Sequence, residues 1–524
     1  VLHNPVVSDD LARRAMEADE HPWFAEEAAP VVLGIGRLAP QKNFRLLIAA
    51  FARLPTQRPA RLMLVGEAPS STDDDTGKPF TGPAGKLLDA LLLGLGVHHT
   101  TEGGKSWTRP FNFGGDNHAL WINPRDSKHM ILGYDHGMGV SFDAGRNWYH
   151  PDDKPLAQYY AIGVDMEQPY NVYGGLQDNG SWRGPSSKRD GPPINFEDWI
   201  RVGGGDGMYN VPDWKNSRWL YNESQFGPLT RVDQLTGERK SIRYRGTGAN
   251  EMRWNWNAPI LVSPHDSDVV YHAGNRVLRS SFRGENWEFI SPDLTVNEEK
   301  KRDGRGNIQY ATITTLDESS ILPGLLWAGT DDGNVQVTRD AAKTWTNVRD
   351  KIPGHPGYWV SRVEPSNHDP AVAYVTVTGY RNDDFKPFVW KTSDYGATWT
   401  SIAGNLPNEP INVIREDHRN PNLLIVGTDL GLHASLDGGK TWGSIRGDMP
   451  RQPTHDLIIH PRDNELVVGT HGRGIFITVL APLQEMTAET MKGAAHLVDP
   501  RPAILWKSAG AKEGARAHCN PNAY

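Results

Sequence analysis

The chain has 524 residues, a formal net charge of -8 at pH 7 and a single cysteine, Cys519. Its 54 glycines, 38 prolines and 18 tryptophans are typical of a turn-rich globular protein and argue against a disordered or coiled-coil one. The acidic balance disfavours nucleic acid as a partner, and one cysteine excludes an internal disulfide framework or a thiolate metal cluster. No apolar run approaches the roughly 20 residues that span a bilayer, so no membrane span is predicted.

The first 97 residues predict an incomplete α/β segment of Rossmann-like type. Residues 31–35 are predicted to form a buried strand that ends in a glycine corner, and a helical spacing of apolar residues follows at Phe44, Leu47, Ile48 and Phe51. The stretch "PARLMLVGE" supplies a second strand and completes a β-α-β unit.

The motifs "NPV", "GIGRLAPQKN" and "LMLVGE" are similar in content and order to those of retaining two-domain glycosyltransferases. Residues 1–66 therefore resemble the nucleotide-sugar half of that family, which implies that Gly36, Arg37 and Lys42 hold a diphosphate. The acceptor domain and the later Glu-x7-Glu segment of the family are missing. This indicates a structural remnant, with nucleotide-sugar binding as its residual activity.

Residues 64–97 carry "GEAP", "GKPF" and "GPAGKLLD" in the order of family 4 uracil-DNA glycosylases, which this segment resembles. The resemblance implies that Glu67 lies by the scissile bond and that Phe80 stacks on uracil, while Ser70 stands where the family has Gly. A chain whose one cysteine is Cys519 lacks the family's four cluster cysteines, and the family's later His-Pro-Ser segment is absent. These departures argue against base excision. The resemblance changes from one family to another near residue 65 and again near residue 97, and these two junctions indicate a mosaic chain.

Residues 98–480 repeat the motif Ser/Thr-x-Asp-x-Gly-x-Thr/Ser-Trp. Its copies are "TTEGGKSW" (100–107), "SFDAGRNW" (141–148), "SSFRGENW" (280–287), "TRDAAKTW" (338–345), "TSDYGATW" (392–399) and "SLDGGKTW" (435–442). The Asp is expected to accept backbone N–H bonds across a tight hairpin, the Gly to take a positive φ and the Trp to pack between sheets. Each copy is therefore predicted to be a self-contained turn.

Eight apolar first strands accompany this motif between about residues 116 and 480. They are "HALWINP", "YAIGVDM", "GMYNVPD", "PILVSPH", "TITTLDE", "VSRVEPS", "NVIREDH" and "HDLIIHP". A repeat of 40 to 60 residues with short strands fits propeller blades better than an open sandwich array, which is the alternative. The sequence thus predicts a mainly β protein, a β-propeller of seven or eight blades preceded by the small N-terminal α/β fragment.

From "GGDNHALWINP" through "GTHGRGIFI" the chain resembles Asp-box (BNR) propellers of the bacterial sortilin-like type, which are often labelled glycosyl hydrolases. The resemblance implies that the motif Asp residues are structural, that the protein is secreted or periplasmic, and that its ligand is a glycan or a peptide. Residues 481–524 resemble the linker that follows such a propeller. No export signal follows Val1.

A ligand site is predicted at the central mouth, where the loops entering the first strands meet the loops joining second to third strands. Four aspartates at Gly-containing corners are the candidate catalytic carboxylates: Asp135, Asp178, Asp206 and Asp331. Nine further residues are candidate ligand contacts: His118, Trp254, Trp256, Trp359, Tyr380, Arg381, Asp429, His471 and Arg473. Carboxylates, exposed rings and a few arginines suit a sugar, and a peptide would also fit.

Three functional hypotheses follow. The first is a propeller that binds an extracellular glycan and is a candidate for hydrolysing it, which requires two carboxyl groups roughly 5 Å apart for retention or 6.5 to 9.5 Å for inversion. The second is a non-catalytic propeller that holds a peptide or protein partner, and the third is nucleotide-sugar binding by the N-terminal unit. Corner aspartates also satisfy backbone N–H groups in Asx turns, which is their structural alternative. The isolated histidines of "YDHG" and "GTHGRG" lack metal-site spacing, so neither a metal nor a cofactor is predicted. Calcium held by the corner aspartates is the alternative to this prediction.

Overall fold

The computed structural model describes residues 117–151, 156–188, 192–302, 309–487 and 489–499. The α/β segment predicted for residues 1–97, the first motif copy and residues 501–524 lie outside these ranges. The described part is dominated by strands, with two short helices, α1 (Glu299–Arg302) and α2 (Ala481–Glu485). None of its helices has the length and apolar character needed to cross a membrane. Five 3-10 turns complete it: Phe196–Asp198, Gly248–Asn250, Arg349–Lys351, Tyr380–Asn382 and Thr490–Lys492.

Within the described residues, thirty strands form eight antiparallel units, which we name the flanking sheet (β1–β3) and blades 1 to 7 in chain order. The flanking sheet contains β1 (Asn117–Ile122), β2 (Met130–Tyr134) and β3 (Gly137–Ser141). Blade 1 contains β4 (Ala157–Val164), β5 (Asn171–Leu176), β6 (Gly180–Pro185) and β7 (Ile200–Gly203). Blade 2 contains β8 (Gly207–Pro212), β9 (Trp219–Ser224), β10 (Leu229–Asp233) and β11 (Arg239–Ser241). Blade 3 contains β12 (Ile260–Val262), β13 (Val270–Ala273), β14 (Val277–Ser280) and β15 (Glu288–Phe289).

Blades 4 to 7 have the same up-and-down order. Blade 4 contains β16 (Ile313–Glu318), β17 (Leu326–Thr330), β18 (Val335–Thr338) and β19 (Thr346–Asn347), and blade 5 contains β20 (Trp359–Pro365), β21 (Ala373–Thr378), β22 (Phe388–Thr392) and β23 (Thr400–Ser401). Blade 6 contains β24 (Ile411–Glu416), β25 (Leu424–Thr428), β26 (Gly431–Ser435) and β27 (Gly443–Ser444). Blade 7 contains β28 (Thr454–Ile459), β29 (Glu465–Gly472) and β30 (Ile475–Val479). Each of the eight predicted first strands is the first strand of one unit.

The first strands of the seven blades contact one another in cyclic order, from β4 through β8, β12, β16, β20 and β24 to β28, which contacts β4 again. The end of β29 also pairs with the start of β4, where His471 faces Gln158 and Gly472 faces Ala157. The ring therefore closes with seven blades. This confirms the propeller and shows that the eighth unit, the flanking sheet, lies outside the ring.

Hydrophobic side chains fill the space between neighbouring blades. The largest such cluster joins blades 4 and 5 and includes Trp327, Val375 and Trp390, and comparable clusters lie between the other pairs. A blade has two apolar faces and buries both only when it is sandwiched, so the closed ring gives every blade two partners.

The repeated motif forms the predicted hairpin between the third and fourth strands. In blade 5, Asp394 accepts hydrogen bonds from the Thr398 backbone N–H at 2.8 Å and from its hydroxyl at 2.6 Å, while the Gly396 N–H donates to Thr392 Oγ1 at 2.9 Å. The copies at 141–148, 338–345 and 435–442 repeat these contacts. In the copy at 280–287 Phe282 replaces the Asp, and the Ser280 contacts remain.

Hydrogen bonding holds the motif carboxylates in their charged form. The bonds from Thr398 lower the pKa of Asp394 from 3.8 to about 2, and equivalent bonds from Asn147 and Thr344 do the same for Asp143 and Asp340. Because these pKa values are depressed in the folded state, the associated stabilisation is present above pH 3.8 and is lost as the pH falls towards 2. The motif carboxylates therefore stabilise the hairpins by accepting hydrogen bonds across the turn.

The ring N–H groups of three motif tryptophans donate to carbonyls of the preceding blade, while those of Trp148 and Trp399 donate to a carbonyl of their own hairpin. The ring N–H of Trp287 donates to the Ile242 carbonyl of blade 2, that of Trp345 to Ile290 of blade 3, and that of Trp442 to Ile402 of blade 5, at 2.6 to 3.0 Å. The predicted packing of the Trp between sheets is therefore present. The hairpins lie at the strand ends opposite the corners between second and third strands, because successive antiparallel turns alternate between the two ends.

Blade 4 departs from the motif, and this gives a test of hairpin strain. Ala342 stands where the other copies have Gly and takes a φ of 68°. A left-handed conformation costs an alanine about 1 kcal/mol or more, whereas Gly adopts it freely. We expect Ala342→Gly to raise the free energy of unfolding by about 0.5–1 kcal/mol in urea denaturation.

The reverse change in blade 5 is the matched control. Gly396 has a φ of 84°, and a Cβ there would lie 3.1 Å from Val348 Cγ1 and 3.2 Å from the Trp327 ring. Gly396→Ala should therefore destabilise the protein by at least about 1 kcal/mol. Effects of the same sign in both variants would contradict the strain argument.

Candidate functional site

A recurring β-bulge shapes the mouth of the ring, the end of the axis at which the first strands begin. Six first strands carry one extra residue near their start, and its side chain contacts the end of the second strand in the same unit. The bulged residues are His118, Tyr160, Thr314, Ser361, Asn412 and His455. Their contacts are with Asp135, Gln177, Gly329, Thr376, Asp429 and His471 respectively.

Three of the four predicted carboxylates converge at one side of the mouth. The Asp178 backbone N–H donates to Asp206 Oδ1 at 2.6 Å, so the two aspartates are neighbours at this corner. Burial, followed by the charges of Asp135 and Asp206, raises the pKa of Asp178 from 3.8 to about 6. The corner thus holds more negative charge than its surroundings neutralise.

Asp135 reaches this corner from the flanking sheet. Its carboxylate pairs with His118, and its carbonyl accepts a hydrogen bond from Asn179 Nδ2 at 3.1 Å. His136 Nδ1 lies 2.9 Å from Asn179 Oδ1. The flanking sheet therefore contacts the mouth through the loop between β2 and β3.

Aromatic rings lie beside the acids. Trp256 Nε1 donates to the Tyr160 hydroxyl at 3.1 Å, and that hydroxyl donates to Gln177 Oε1 at 3.0 Å. The rings of Tyr160 and His471 lie 5.2 Å apart, and His471 stacks on His455 at 4.3 Å. Burial raises the pKa of the Tyr160 phenol, and the charges of Asp206 and Asp178 add to the rise.

A basic and aromatic group lies in blades 5 and 6. The Arg381 guanidinium lies 4.1 Å from the Trp359 ring and 4.4 Å from the Tyr380 ring. Burial raises the pKa of Asp429, while the hydrogen bond from Asn412 and the charge of Arg381 oppose the rise. Tyr380 is 43% exposed, so a ring at this edge is open to a ligand.

Two predicted site residues serve the framework. Asp331 is 4% exposed and accepts two hydrogen bonds from Thr312, at 2.9 and 2.8 Å, and burial raises its pKa to about 7. Trp254 is 5% exposed and stacks on His272 at 4.4 Å in the core.

Arg473 lies exposed at the β29–β30 corner, where its backbone N–H donates to Thr470 Oγ1.

Sequence reasoning missed Tyr160 and His455. Both occupy the bulged position of a first strand that was itself predicted. His118 is the bulged residue of β1 and was predicted, so aligning the first strands on "NHALWI" gives the signal: "YYAIGV" and "THDLII" place Tyr160 and His455 beside it.

Below the mouth, charged residues of the first strands meet near the axis. Arg362 Nη2 donates to Asp456 Oδ1 at 2.7 Å, and Arg415 pairs with Glu364 and lies 3.4 Å from Asp456. Asp456 Oδ2 accepts the backbone N–H of Ile162 at 3.1 Å, which ties blade 7 to blade 1. We name Arg362, Glu364, Arg415 and Asp456 the axial ion network. Within the described ranges, no group of three or more His, Cys, Asp or Glu side chains is arranged to hold a metal.

Asp317 of β16 adds an excess carboxylate to this network. Burial and the Glu364 charge raise its pKa from 3.8 to about 7, against the opposing charges of Arg415 and Arg362. A raised folded-state pKa gives stabilisation that is complete below pH 3.8 and is lost as the pH rises through about 7.

Removing this titration should change the pH dependence of stability. We expect Asp317→Asn to be more stable than the original protein at pH 8 by at least about 1 kcal/mol, since one pKa unit corresponds to about 1.4 kcal/mol. The gain should shrink as the pH falls towards 4, measured by urea denaturation at each pH. A gain independent of pH would assign the effect to packing.

Comparisons with known proteins match different parts of the chain. The uracil DNA glycosylase superfamily model matches residues 55–154, less than a fifth of the chain, and the described residues within it include the antiparallel strands β1 to β3. A type-4 uracil-DNA glycosylase of Pyrobaculum aerophilum is 53% identical over 36 residues, which are 7% of this chain and 18% of that protein. The solved structure of YCF48 bound to D1 peptide is 13% identical, with a TM-score of 0.33, over 69% of this chain and 90% of that one. The chain thus spans 18% of the length of its curated relative, and its propeller fold is established by its own ring of sheets.

Proposed function

We propose that this protein is a non-catalytic binding propeller that holds a peptide segment of a partner at its mouth. The observation that carries the proposal is the separation of charge there. Asp178 and Asp206 form an under-neutralised acidic corner, and Arg381 lies on two rings without a hydrogen bond to the described residues. A peptide with side chains of both signs would neutralise both groups, whereas a neutral glycan would neutralise neither.

The rings support the same ligand class. Trp256 and Tyr160 lie beside the acids, and Tyr380 lies beside Arg381. Aromatic side chains with arginine are the residues that dominate protein recognition sites. Asp206 Oδ1 accepts the Asp178 backbone N–H at 2.6 Å, and this structural use of the carboxylate is the reason for proposing binding without hydrolysis.

Peptide binding can be tested by fluorescence anisotropy. A labelled dodecapeptide library with varied Lys and Glu positions would be screened, and the tightest binder would be measured against variants. We expect Asp206→Asn and Arg381→Gln each to weaken binding at least tenfold, as expected for charged contacts of about 2 kcal/mol or more. Added salt should weaken it as well.

Arg419→Gln is the matched control, because Arg419 is an exposed arginine in the β24–β25 connection at the opposite end of the strands. It should leave the affinity unchanged. Equal binding of neutral β-glucan oligosaccharides, insensitive to Arg381→Gln, would contradict the proposal.

Glycoside hydrolysis is a second candidate, favoured by one observation. The pKa of Asp178, raised to about 6, suits a general acid near neutral pH. Reducing-sugar release from β-glucans that is lost in Asp178→Asn would support it.

A further inference from the structure

A cleft of about 290 Å³ lies between blades 3 and 4, on the face opposite the mouth. Its walls are largely apolar and include Val269, Tyr271, Ile290, Pro323 and Leu326. Glu318, the last residue of β16, lines the same cleft. No predicted site residue contributes to it.

Glu318 is 5% exposed, and half of its carboxylate lacks a partner. Oε1 accepts the Gly324 backbone N–H at 2.8 Å, whereas Oε2 is enclosed and accepts no hydrogen bond from any described residue. An unpaired buried carboxylate oxygen costs free energy, so such a position indicates a missing donor.

The equivalent carboxylate between blades 5 and 6 has all of its donors. Glu416, the last residue of β24, accepts Ser366 Oγ at 2.6 Å and the Asn367 backbone N–H at 2.7 Å on Oε2, and the Tyr374 hydroxyl at 2.8 Å on Oε1. The same chain therefore contains a filled and an unfilled version of one arrangement.

The missing donors lie in the strand and turn that correspond to those around Glu416. The hydroxyls of Ser263 and Tyr271 do not repeat the short bonds that Ser366 and Tyr374 make, and Pro264 removes the backbone donor altogether. Ser263, Pro264, His265 and Tyr271 occupy the positions of Ser366, Asn367, His368 and Tyr374. The correspondence is structural as well, because His265 Nε2 lies 2.8 Å from the Ser319 carbonyl and His368 Nε2 lies 2.8 Å from the Asp417 carbonyl. Proline has no N–H, so Pro264 cannot supply the bond that Asn367 gives to Glu416.

Charge around the cleft favours a cation. Asp266 adds a second carboxylate to the lining, and Arg279 at the rim is paired with Glu288 at 2.8 Å. Burial, and secondly the Glu318 charge, raises the pKa of the Tyr271 phenol, so this ring remains neutral beside the carboxylate. A guanidinium prefers two free carboxylate oxygens for a bidentate contact, whereas one free oxygen suits an ammonium group.

We propose that the cleft between blades 3 and 4 binds a primary ammonium group on a short apolar stem, with Glu318 Oε2 as its acceptor. The stem packs between Tyr271, Ile290 and Leu326. A free small amine and a lysine side chain share this chemistry. The site is independent of the mouth and lies at the opposite end of the strands.

The test uses the full chain with benzylamine and with a lysine blocked at both its α-amino and carboxyl groups, measured by isothermal titration and saturation-transfer NMR. We expect at least one of these amines to bind, and benzyl alcohol, the neutral match, to bind at least tenfold more weakly. Glu318→Gln should lower amine affinity at least tenfold. Preference for benzylamine or for the blocked lysine distinguishes the two sources.

Pro264→Asn provides a second variant that keeps the carboxylate. It restores the donor seen at Asn367, so we expect it to fill Glu318 Oε2 and also to lower amine affinity at least tenfold, with no loss of thermal stability. Ser281→Ala, in the lining away from this bond, should bind as the original does. Amine binding that neither Glu318→Gln nor Pro264→Asn weakens, or no binding of either amine at millimolar concentration, as expected if water alone fills the cleft, would overturn the proposal.

Discussion

Replacing Arg415 with Met should lower the free energy of unfolding by about 3–5 kcal/mol. Arg415 pairs with Glu364, lies 3.4 Å from Asp456 and donates to the Leu457 carbonyl at 2.7 Å. Methionine retains part of the apolar stem and removes the charge. The loss then reflects Glu364 left without its cation and Asp456 left with Arg362 alone. It is measured by guanidinium denaturation followed by circular dichroism.

Two further variants make this interpretation specific. Arg419→Met removes an exposed arginine four residues further along the chain and should change stability by less than about 0.5 kcal/mol. Adding Glu364→Gln to Arg415→Met should recover part of the loss, because it removes one of the uncompensated charges. A double variant less stable than Arg415→Met would show that the charge balance is not the cause.

Trp399→Ala is expected to cost a similar 3–5 kcal/mol, for a different reason. Trp399 is 7% exposed, packs edge-on against Trp327 at a ring separation of 5.9 Å and belongs to the cluster between blades 4 and 5. Removing the indole leaves a cavity between two blades that are held apart by their other side chains.

Trp121→Ala is the matched control for this prediction. Trp121 is 47% exposed on β1 of the flanking sheet, outside the ring. We expect a cost below about 1 kcal/mol for it. Equal costs for the two tryptophans, measured by the same denaturation, would contradict the view that the motif Trp stabilises the interface between blades.

Much of the candidate site could be located from the sequence, because Gly-rich turns mark the corners of each repeat. The spacing that located the second strands also located Asp178, Asp429 and His471, and the turn before β8 located Asp206. Tyr160 was missed because a bulge changes the alternation by one residue, so a pattern of period 2 assigns its side chain to the wrong face. Asp331 shows a second limit of prediction from sequence. The sequence does not tell whether a corner carboxylate faces a ligand or a backbone N–H, and Asp331 accepts the backbone N–H of Thr312.

The sequence by itself determined the repeating units, which are the first strands, the Gly corners and the hairpins. In most copies of the hairpin motif an Asp accepts hydrogen bonds across the turn and a Trp packs against the sheets. These depend on local contacts within about ten residues, which the order of residue types specifies. The tertiary structure decided which units share a ring. Seven blades close because β4 pairs with β29 and Asp456 binds the Ile162 N–H across about 300 residues, while the flanking sheet stays outside. Such pairings depend on the shape and charge of surfaces that exist only after the sheets have formed, and the charge separation at the mouth and the unfilled Glu318 are consequences of that assembly.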